Sequence, residues 1–199
     1  MTVSALCRVP SVSHYQDTIT ASIEAIGQLK DMEADYDAAV ALLSDSLKAG
    51  GKILVCGNGG SAADAAHFAT ELLCRFEKDR PSLAGIALAN DGSFLTATAN
   101  DYDFSRVFAR QVEGLGNKGD VLVGITTSGN SPNVIEAFKT AKEKGVKTLA
   151  MLGRDGGNAK GLADVELIVP NPSTARIQEA QQVLIHMLCS GIEREMFGM

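Results

Sequence analysis

The stretch Lys52-Ile53-Leu54-Val55-Cys56-Gly57-Asn58-Gly59-Gly60-Ser61 decides how this chain folds. Its apolar half predicts a short buried strand, and the glycines after it let the backbone turn sharply and approach a bound group closely. Ser61 is predicted to cap the helix that follows. Because the first N–H groups of a helix lack partners within it and carry partial positive charge, this junction predicts an anion site suited to phosphate.

The same segment, taken alone, also fits an ordinary tight turn between a strand and a helix. It lacks the third glycine of the dinucleotide-binding motif G-x-G-x-x-G, because an alanine stands there. No Gly-Lys-Ser/Thr follows to make a nucleotide-binding P-loop. The choice between an anion site and a plain turn therefore depends on the rest of the chain.

The composition predicts one acidic, water-soluble domain. The chain has 199 residues, 45% of them hydrophobic, with a net charge of −6 and a pI of about 5.1. That charge argues against nucleic acid or an anionic membrane as a partner, and no apolar run is long enough to cross a bilayer. The four cysteines form no C-x-x-C pair, which favours free thiols in a reducing cytoplasm. Residues 1–14 are predicted to be a loose N-terminus without a signal peptide, and residues 15–199 a single domain.

Short apolar segments alternate with helical patterns after two opening helices. The predicted strands are residues 53–56, 83–88, 121–126, 146–151 and 165–169. The predicted helices are residues 15–29, 32–48, 62–76, a short piece after 92, 104–114, 133–144 and 174–196, with a further turn near 158. Strands that are apolar throughout and separated by helices predict a parallel sheet covered on both faces. The expected fold class is α/β, a three-layer αβα sandwich with a parallel five-stranded, flavodoxin-like sheet and an N-terminal helical extension.

A second predicted strand ends in a loop of similar design. Residues 121–126 run into Thr127-Ser128-Gly129-Asn130-Ser131-Pro132, where Pro132 suits the first position of a helix. Four hydroxyls supply neutral donors for phosphate oxygens, those of Thr126, Thr127, Ser128 and Ser131. One such loop is usually a simple helix cap, but two at the carboxyl ends of parallel strands indicate a shared ligand crevice.

Two pairs of polar side chains on predicted helices are candidates for chemistry. His67 and Glu71 are four residues apart on the helix after the first loop, so they face one side, one turn apart. Gln178 and His186 are eight residues apart on the last helix, which separates their Cα atoms by ~12 Å along a straight axis. Taken alone, the first pair also fits a solvated surface pair, and His186, in an apolar run, also fits a core histidine. Gln178 and His186 could therefore reach a common point only if the helix is kinked or if one of them comes from a second chain.

The motifs, in order along the chain, resemble those of the sugar isomerase (SIS) domain family and, within it, the phosphoheptose isomerases. The resemblance covers nearly the whole chain from about Tyr15 onward. The matching segments are residues 56–61, His67-Phe68-Ala69 with Glu71, Asn100-Asp101, residues 127–131, and Arg176-Ile177-Gln178-Glu179 with His186.

This resemblance implies an aldose–ketose isomerase that converts sedoheptulose 7-phosphate to D-glycero-D-manno-heptose 7-phosphate through an enediolate, for the heptose of the bacterial cell envelope. It implies a cytoplasmic homotetramer with sites at subunit contacts, in which Glu71 is the base and His186 the acid. It also implies one zinc ion per subunit, bound by His67, Glu71, Gln178 and His186. The implied substrate contacts are Asn58, Gly59, Gly60, Ser61, Glu71, Asn100, Asp101, Thr126, Thr127, Ser128, Ser131 and Gln178.

These residue types suit such a reaction. Moving a proton between the first and second sugar carbons needs a carboxylate to take and return it, and an acid to serve the neighbouring oxygens. A zinc ion held by imidazole, carboxylate and amide groups would polarise the carbonyl.

Two other functions stay open at this point. Residues 75–77 and 80–83 resemble a sister branch, the SIS protein that binds the bacterial replication initiator, which lacks the glutamate and the final histidine. A non-catalytic SIS binding module is therefore one alternative, and an isomerase of another sugar phosphate is the second. The presence of both Glu71 and His186 favours an enzyme.

Overall fold

Residues 12–198 are described by a computed structural model in which helices and strands alternate after a pair of opening helices. The strands are β1 (Ile53–Gly57), β2 (Gly85–Ala87), β3 (Val121–Thr126), β4 (Lys147–Gly153) and β5 (Val165–Val169). The α-helices are α1 (Val12–Gly27), α2 (Glu33–Lys48), α3 (Gly60–Leu73), α4 (Gly92–Asp101), α5 (Val107–Leu115), α6 (Pro132–Lys144) and α7 (Thr174–Phe197). Three short 3₁₀ segments occupy Gln28–Met32, Phe104–Arg106 and Gly157–Ala159.

All five strands pair in parallel, in the order β2-β1-β3-β4-β5. Ile53 of β1 pairs with Gly85 on one side and with Val121 on the other. β2 is added on one side of β1, and β3, β4 and β5 are added in turn on the other side. The order in which strands are added to the sheet therefore reverses between β1 and β3. In sheets of this order, ligands bind in the crevice outside the carboxyl ends of those two strands. The two glycine loops follow β1 and β3 and therefore flank that crevice.

The sheet separates two hydrophobic cores, because successive side chains of a strand point to opposite faces. Val55 packs in the core that also contains Phe68 of α3 and Leu184 of α7. Leu54, its neighbour in sequence, packs in the other core, which contains Phe138 of α6. β1 and β3 are buried at every position, which explains why they are almost wholly apolar, whereas β4 begins with the exposed Lys147 and β5 contains the half-buried Glu166.

The predicted fold class is confirmed, and the differences from the predicted elements are local. β3 and β5 have the predicted bounds, whereas the predicted strand over 83–88 is reduced to Gly85–Ala87. Leu83 and Leu88 are buried as expected, but the N–H of Leu83 donates to Leu72 O of α3 and not to a strand. The helix predicted over 104–114 is divided into a 3₁₀ turn and α5, because the side chain of Asp103 caps the turn through the N–H of Ser105.

The predicted boundary at residue 14 falls inside a helix, because α1 begins at Val12; residues 1–11 lie outside the described part of the chain. Cys7 is among those residues, while Cys56, Cys74 and Cys189 are free thiols. Burial raises the pKa of Cys56 to about 12, so this thiol is unreactive at neutral pH. Within the described residues, no helix is both long and apolar enough to span a membrane.

Candidate active site

The first loop, after β1, leads into α3 earlier in the chain than a cap by Ser61 would allow. α3 begins at Gly60, Gly59 adopts a positive φ of 57°, and no side chain caps the first turn. Ser61 lies inside the helix and is only 3% exposed, so its predicted role as the N-cap is wrong. The physical reason is the close approach at Gly57, where a Cβ would come within 2.6 Å of Ser61 O. The N–H groups of Ser61 and Ala62 donate back to Asn58 O and Gly59 O at 3.0 Å each. Among residues 12–198, the donors that this loop leaves for an anion are therefore the N–H groups of Gly59 and Gly60, while the Ser61 hydroxyl stays buried.

The second loop arranges its hydroxyls in two ways. Thr126 Oγ1 and Ser131 Oγ are hydrogen-bonded to each other at 3.0 Å, and Thr126 is buried. Ser128 Oγ accepts the N–H of Asn130 at 3.1 Å, which leaves its O–H free to donate. Pro132 opens α6 as predicted. Ser128 is therefore a hydroxyl donor of this loop that an incoming oxygen can use without breaking an existing bond.

The two loops are joined by a reciprocal pair of amides. Asn58 Nδ2 donates to Asn133 Oδ1 at 2.9 Å, and Asn133 Nδ2 donates to Asn58 Oδ1 at 2.8 Å. Asn58 was predicted to contact substrate, and in this structure both functional groups of its side chain are occupied by Asn133. Asn133 was missed from the sequence because its pattern is that of an ordinary first-turn residue of a helix. The side chain of Asn58 is thus a link between the loops.

Asn100 and Asp101 end α4 and are exposed, with Asn100 Nδ2 donating to Asp101 Oδ1 at 2.8 Å. The segment that follows them lines a pocket of about 270 Å³ together with Asn58 and Ser131. Asn100 and Asp101 themselves do not line this pocket, and the predicted contact of these two residues with substrate stays a prediction.

α3 and α7 lie side by side and run in the same direction. Gln178 packs against the start of α3, where a Cβ on Gly60 would come within 2.3 Å of Gln178 Nε2. Two turns further along α3, the ring of His67 lies 5.1 Å from the ring of His186, centroid to centroid. The predicted ligand Gln178 is thus placed beside the first loop.

A different amide, Gln182, lies between the two histidines. Its Nε2 donates to His67 Nδ1 at 2.6 Å and approaches His186 Nε2 at 3.3 Å. Because His67 Nδ1 accepts a hydrogen bond from the amide, the neutral ring carries its own proton on Nε2, and this N–H donates to Glu71 Oε1 at 2.8 Å. Glu71, His67, Gln182 and His186 form one hydrogen-bonded row within a single chain.

His186 is exposed, so the interpretation as a core histidine is wrong. Its neighbours Ile185 and Leu188 supply the apolar signal and are buried, while His186 points away from them. The ring of Phe76 lies against it, with centroids 5.5 Å apart. His186 is therefore accessible from solvent, with one side covered by an aromatic ring.

A second carboxyl, that of Asp64, lies one turn before His67 on α3. Its Oδ2 is buried and has no hydrogen-bond partner among residues 12–198. Burial raises the pKa of Asp64, and the nearby His67 partly opposes this shift. The site thus combines this partly desolvated carboxyl with Glu71, whose side chain is 22% exposed.

Three of the four predicted zinc ligands lie close together, while the fourth, Gln178, packs beside Gly60. His67, Glu71 and His186 lie together and are the imidazole and carboxylate donors that zinc prefers. Both nitrogens of His67 are used in hydrogen bonds, and within residues 12–198 no group of three His, Cys, Asp or Glu side chains is already arranged to hold a metal. The donor set fits zinc chemically, provided that the Gln182 amide moves away from the imidazoles.

The sequence profile of the SIS domain family matches residues 14–153. A phosphoheptose isomerase of Campylobacter jejuni is 59% identical over 152 residues, which are 76% of this chain and 82% of that protein. A phosphoheptose isomerase of Helicobacter pylori is 55% identical over 166 residues, which are 83% of this chain and 86% of that protein.

Solved structures agree with the sequence relatives. The structure of a phosphoheptose isomerase from Francisella tularensis superposes with a TM-score of 0.88 at 39% identity, covering 94% of this chain and 100% of that one. The corresponding structure from Neisseria gonorrhoeae has a TM-score of 0.84 at 46% identity, covering 90% and 98%. With the family profile matching most of its length and this degree of identity to several relatives, the chain belongs to the SIS domain family and, within it, to the phosphoheptose isomerases.

Proposed function

We propose that this chain is an aldose–ketose isomerase that converts sedoheptulose 7-phosphate into D-glycero-D-manno-heptose 7-phosphate. The observation that carries the proposal is the row of Glu71, His67, Gln182 and His186, which lies on α7 and on α3, the helix that the first glycine loop opens. The row supplies a carboxylate base and an imidazole acid, which are the two groups that the reaction needs. The relatives named phosphoheptose isomerase support the same activity.

The chemistry requires no external oxidant, because a proton and an electron pair only change position within the sugar. Glu71 takes a proton from C1 of the ketose, which leaves an enediolate over C1 and C2, and returns it to C2. His186 serves the two oxygens, giving a proton to O2 and receiving the proton of O1. The hydrogen bond from His67 Nε2 holds the Glu71 carboxylate in place for both transfers.

The substrate phosphate is assigned to the two loops. The N–H groups of Gly59 and Gly60 and the hydroxyl of Ser128 provide donors, so binding does not depend on a basic patch in this acidic protein.

Replacing Ser128 with alanine removes one free hydroxyl donor. We expect KM for the phosphorylated sugar to rise about fivefold, equivalent to about 1 kcal/mol for a neutral hydrogen bond, with little change in kcat. Steady-state kinetics measure both constants, and the Ser82→Ala variant, at an exposed serine of another loop, serves as the control. If Ser128→Ala lost metal content or thermal stability as much as substrate affinity, the loop would be structural and the assignment of its hydroxyl would be wrong.

Zinc and the oligomeric state are further parts of the proposal. A zinc ion bound by His67, Glu71 and His186 would supply Lewis acidity at the sugar carbonyl. The oligomer is proposed to be a cytoplasmic homotetramer, and apolar side chains left exposed on one side of α1 are suited to one of its subunit contacts. The exposed residues are Tyr15, Ile19, Ile23 and Ile26.

One experiment on the purified protein tests these statements together. We expect sedoheptulose 7-phosphate to be converted to the aldose, followed by NMR, with about one zinc per chain by elemental analysis. We also expect a particle mass four times the 20.9 kDa of the chain by light scattering. A chelator should remove both zinc and activity, and added zinc should restore both. Faster turnover of another ketose phosphate would reassign the substrate, and no turnover of any would favour the binding module.

A further inference from the structure

A buried ion pair lies behind the active site and takes no direct part in the proposed chemistry. Arg80 Nε donates to Glu193 Oε1 at 2.7 Å, and the two side chains are only 2% and 4% exposed. Arg80 belongs to the loop that follows α3, and Glu193 lies on α7, seven residues after His186. The pair therefore joins the two helices that carry the proposed base and acid.

Arg80 completes the end of α3. Its two terminal nitrogens donate to the carbonyl oxygens of Glu71 at 2.7 Å and Leu72 at 2.9 Å. Carbonyls in the last turn of a helix have no partner within it, so the guanidinium takes the place of the missing N–H groups. One of the two carbonyls belongs to Glu71 itself, which means that Arg80 fixes the backbone of the proposed base.

Glu193 holds the other end of the same loop. Its oxygens accept the N–H groups of Phe76 at 3.1 Å and Glu77 at 3.2 Å. Burial disfavours the charged form, but the Arg80 guanidinium and these two N–H groups outweigh it, so the pKa of Glu193 lies below its ordinary value. The ring of Phe76, positioned in this way, packs on His186.

The geometry points to Arg80 and Glu193 as positioning residues that keep Glu71 and His186 in a fixed relation across the junction of α3 and α7; this inference rests on the proposed isomerase function. A buried ion pair is weak support for stability, because well-packed apolar side chains often stabilise as well or better. An arginine is needed here for its shape, since a planar fork can reach two carbonyls and a carboxylate at once and a lysine cannot.

The stretch that resembles the replication-initiator-binding branch comprises residues 75–77 and 80–83. In this chain both Phe76 and Arg80 bind Glu193 behind the active site, and the Arg80 side chain is only 2% exposed. The stretch therefore supports an internal role here and gives no surface for a protein partner through these two side chains.

Two variants test the inference. Arg80→Lys keeps the charge and loses the fork, and the double variant Arg80→Met/Glu193→Met removes both charges, so that neither is left unpaired. We expect both proteins to fold, and kcat to fall about tenfold or more, because small displacements of reacting groups are costly. We expect KM to change less than about threefold, since the loops that bind phosphate are untouched.

The matched control is Lys48→Met/Glu195→Met, which removes an exposed ion pair that also ends on α7. It should leave both constants unchanged. Circular dichroism and thermal unfolding establish that each variant is folded. Folded Arg80 variants with the kcat of the unaltered protein would overturn the inference, even if their melting temperatures were lower. Failure of the unaltered protein to isomerise any sugar phosphate would instead overturn the proposed function.

Discussion

Glu71→Gln is expected to lose at least about 10²-fold in kcat, the lower end of the range for removing a general base. Glutamine has nearly the same shape, and its Oε1 can still accept the proton of His67 Nε2, which Glu71 accepts at 2.8 Å. The fold and the hydrogen-bonded row should therefore persist while the ability to take a proton from carbon is lost. Steady-state kinetics with sedoheptulose 7-phosphate provide the measurement.

A matched variant separates loss of the base from loss of one negative charge. Glu143→Gln makes the same chemical change at an exposed position of α6 and should have ordinary kinetics. An exchange experiment in deuterated water adds a direct readout, because Glu71→Gln should also stop incorporation of solvent deuterium at the sugar carbon. Near-normal turnover or exchange in Glu71→Gln would show that another group, with Asp64 as the nearest candidate carboxyl on α3, takes the proton.

His186→Gln is expected to lower kcat by a similar factor, about 10²-fold, because an amide cannot exchange protons with the sugar oxygens as an imidazole does. The change keeps a polar side chain beside Phe76 and Gln182, so the α3–α7 junction should remain intact. Kinetics and thermal unfolding, measured on the same preparation, distinguish lost chemistry from lost structure.

Gln182→Met is the informative comparison for this second variant. Methionine has about the same length as glutamine but donates no hydrogen bond, so it removes both contacts between the amide and the histidines. If His186 acts as the acid, Gln182→Met should cost much less activity than His186→Gln. Equal losses would mean that the hydrogen-bonded row, and not the imidazole of His186, is the essential feature.

Local pattern was sufficient to predict the sheet and its helices. β1 and β3 are buried throughout and almost wholly apolar, and each is followed by glycine and hydroxyl residues before a helix, so both strands and their loops could be located from the sequence. Ser61 was misassigned because serine favours helix caps in general, whereas here the contact between Gly57 and Ser61 moves the start of the helix. β2 was overestimated because burial of Leu83 does not require it to pair in a strand, and its N–H donates to Leu72 O of α3 instead.

The interactions that no local pattern predicts are those between distant segments. Gln182 and Asn133 have no motif of their own, and each acquires its role only when α7 meets α3 or when the second loop meets the first. Glu193 likewise looks like a surface residue near the end of a helix until Arg80 is folded against it. Such residues become visible only once their partners from another part of the chain are in place.

The paired amides of Asn58 and Asn133 have a consequence for how a sugar phosphate enters. Since the two amides satisfy each other's hydrogen-bonding groups, the two loops are already held in a fixed relation before any ligand binds. Little conformational entropy then remains to be lost on binding, so the free energy of the phosphate contacts is available for affinity and not for ordering the protein. Capture of substrate should therefore follow simple one-step kinetics, with an observed rate that rises linearly with sugar concentration.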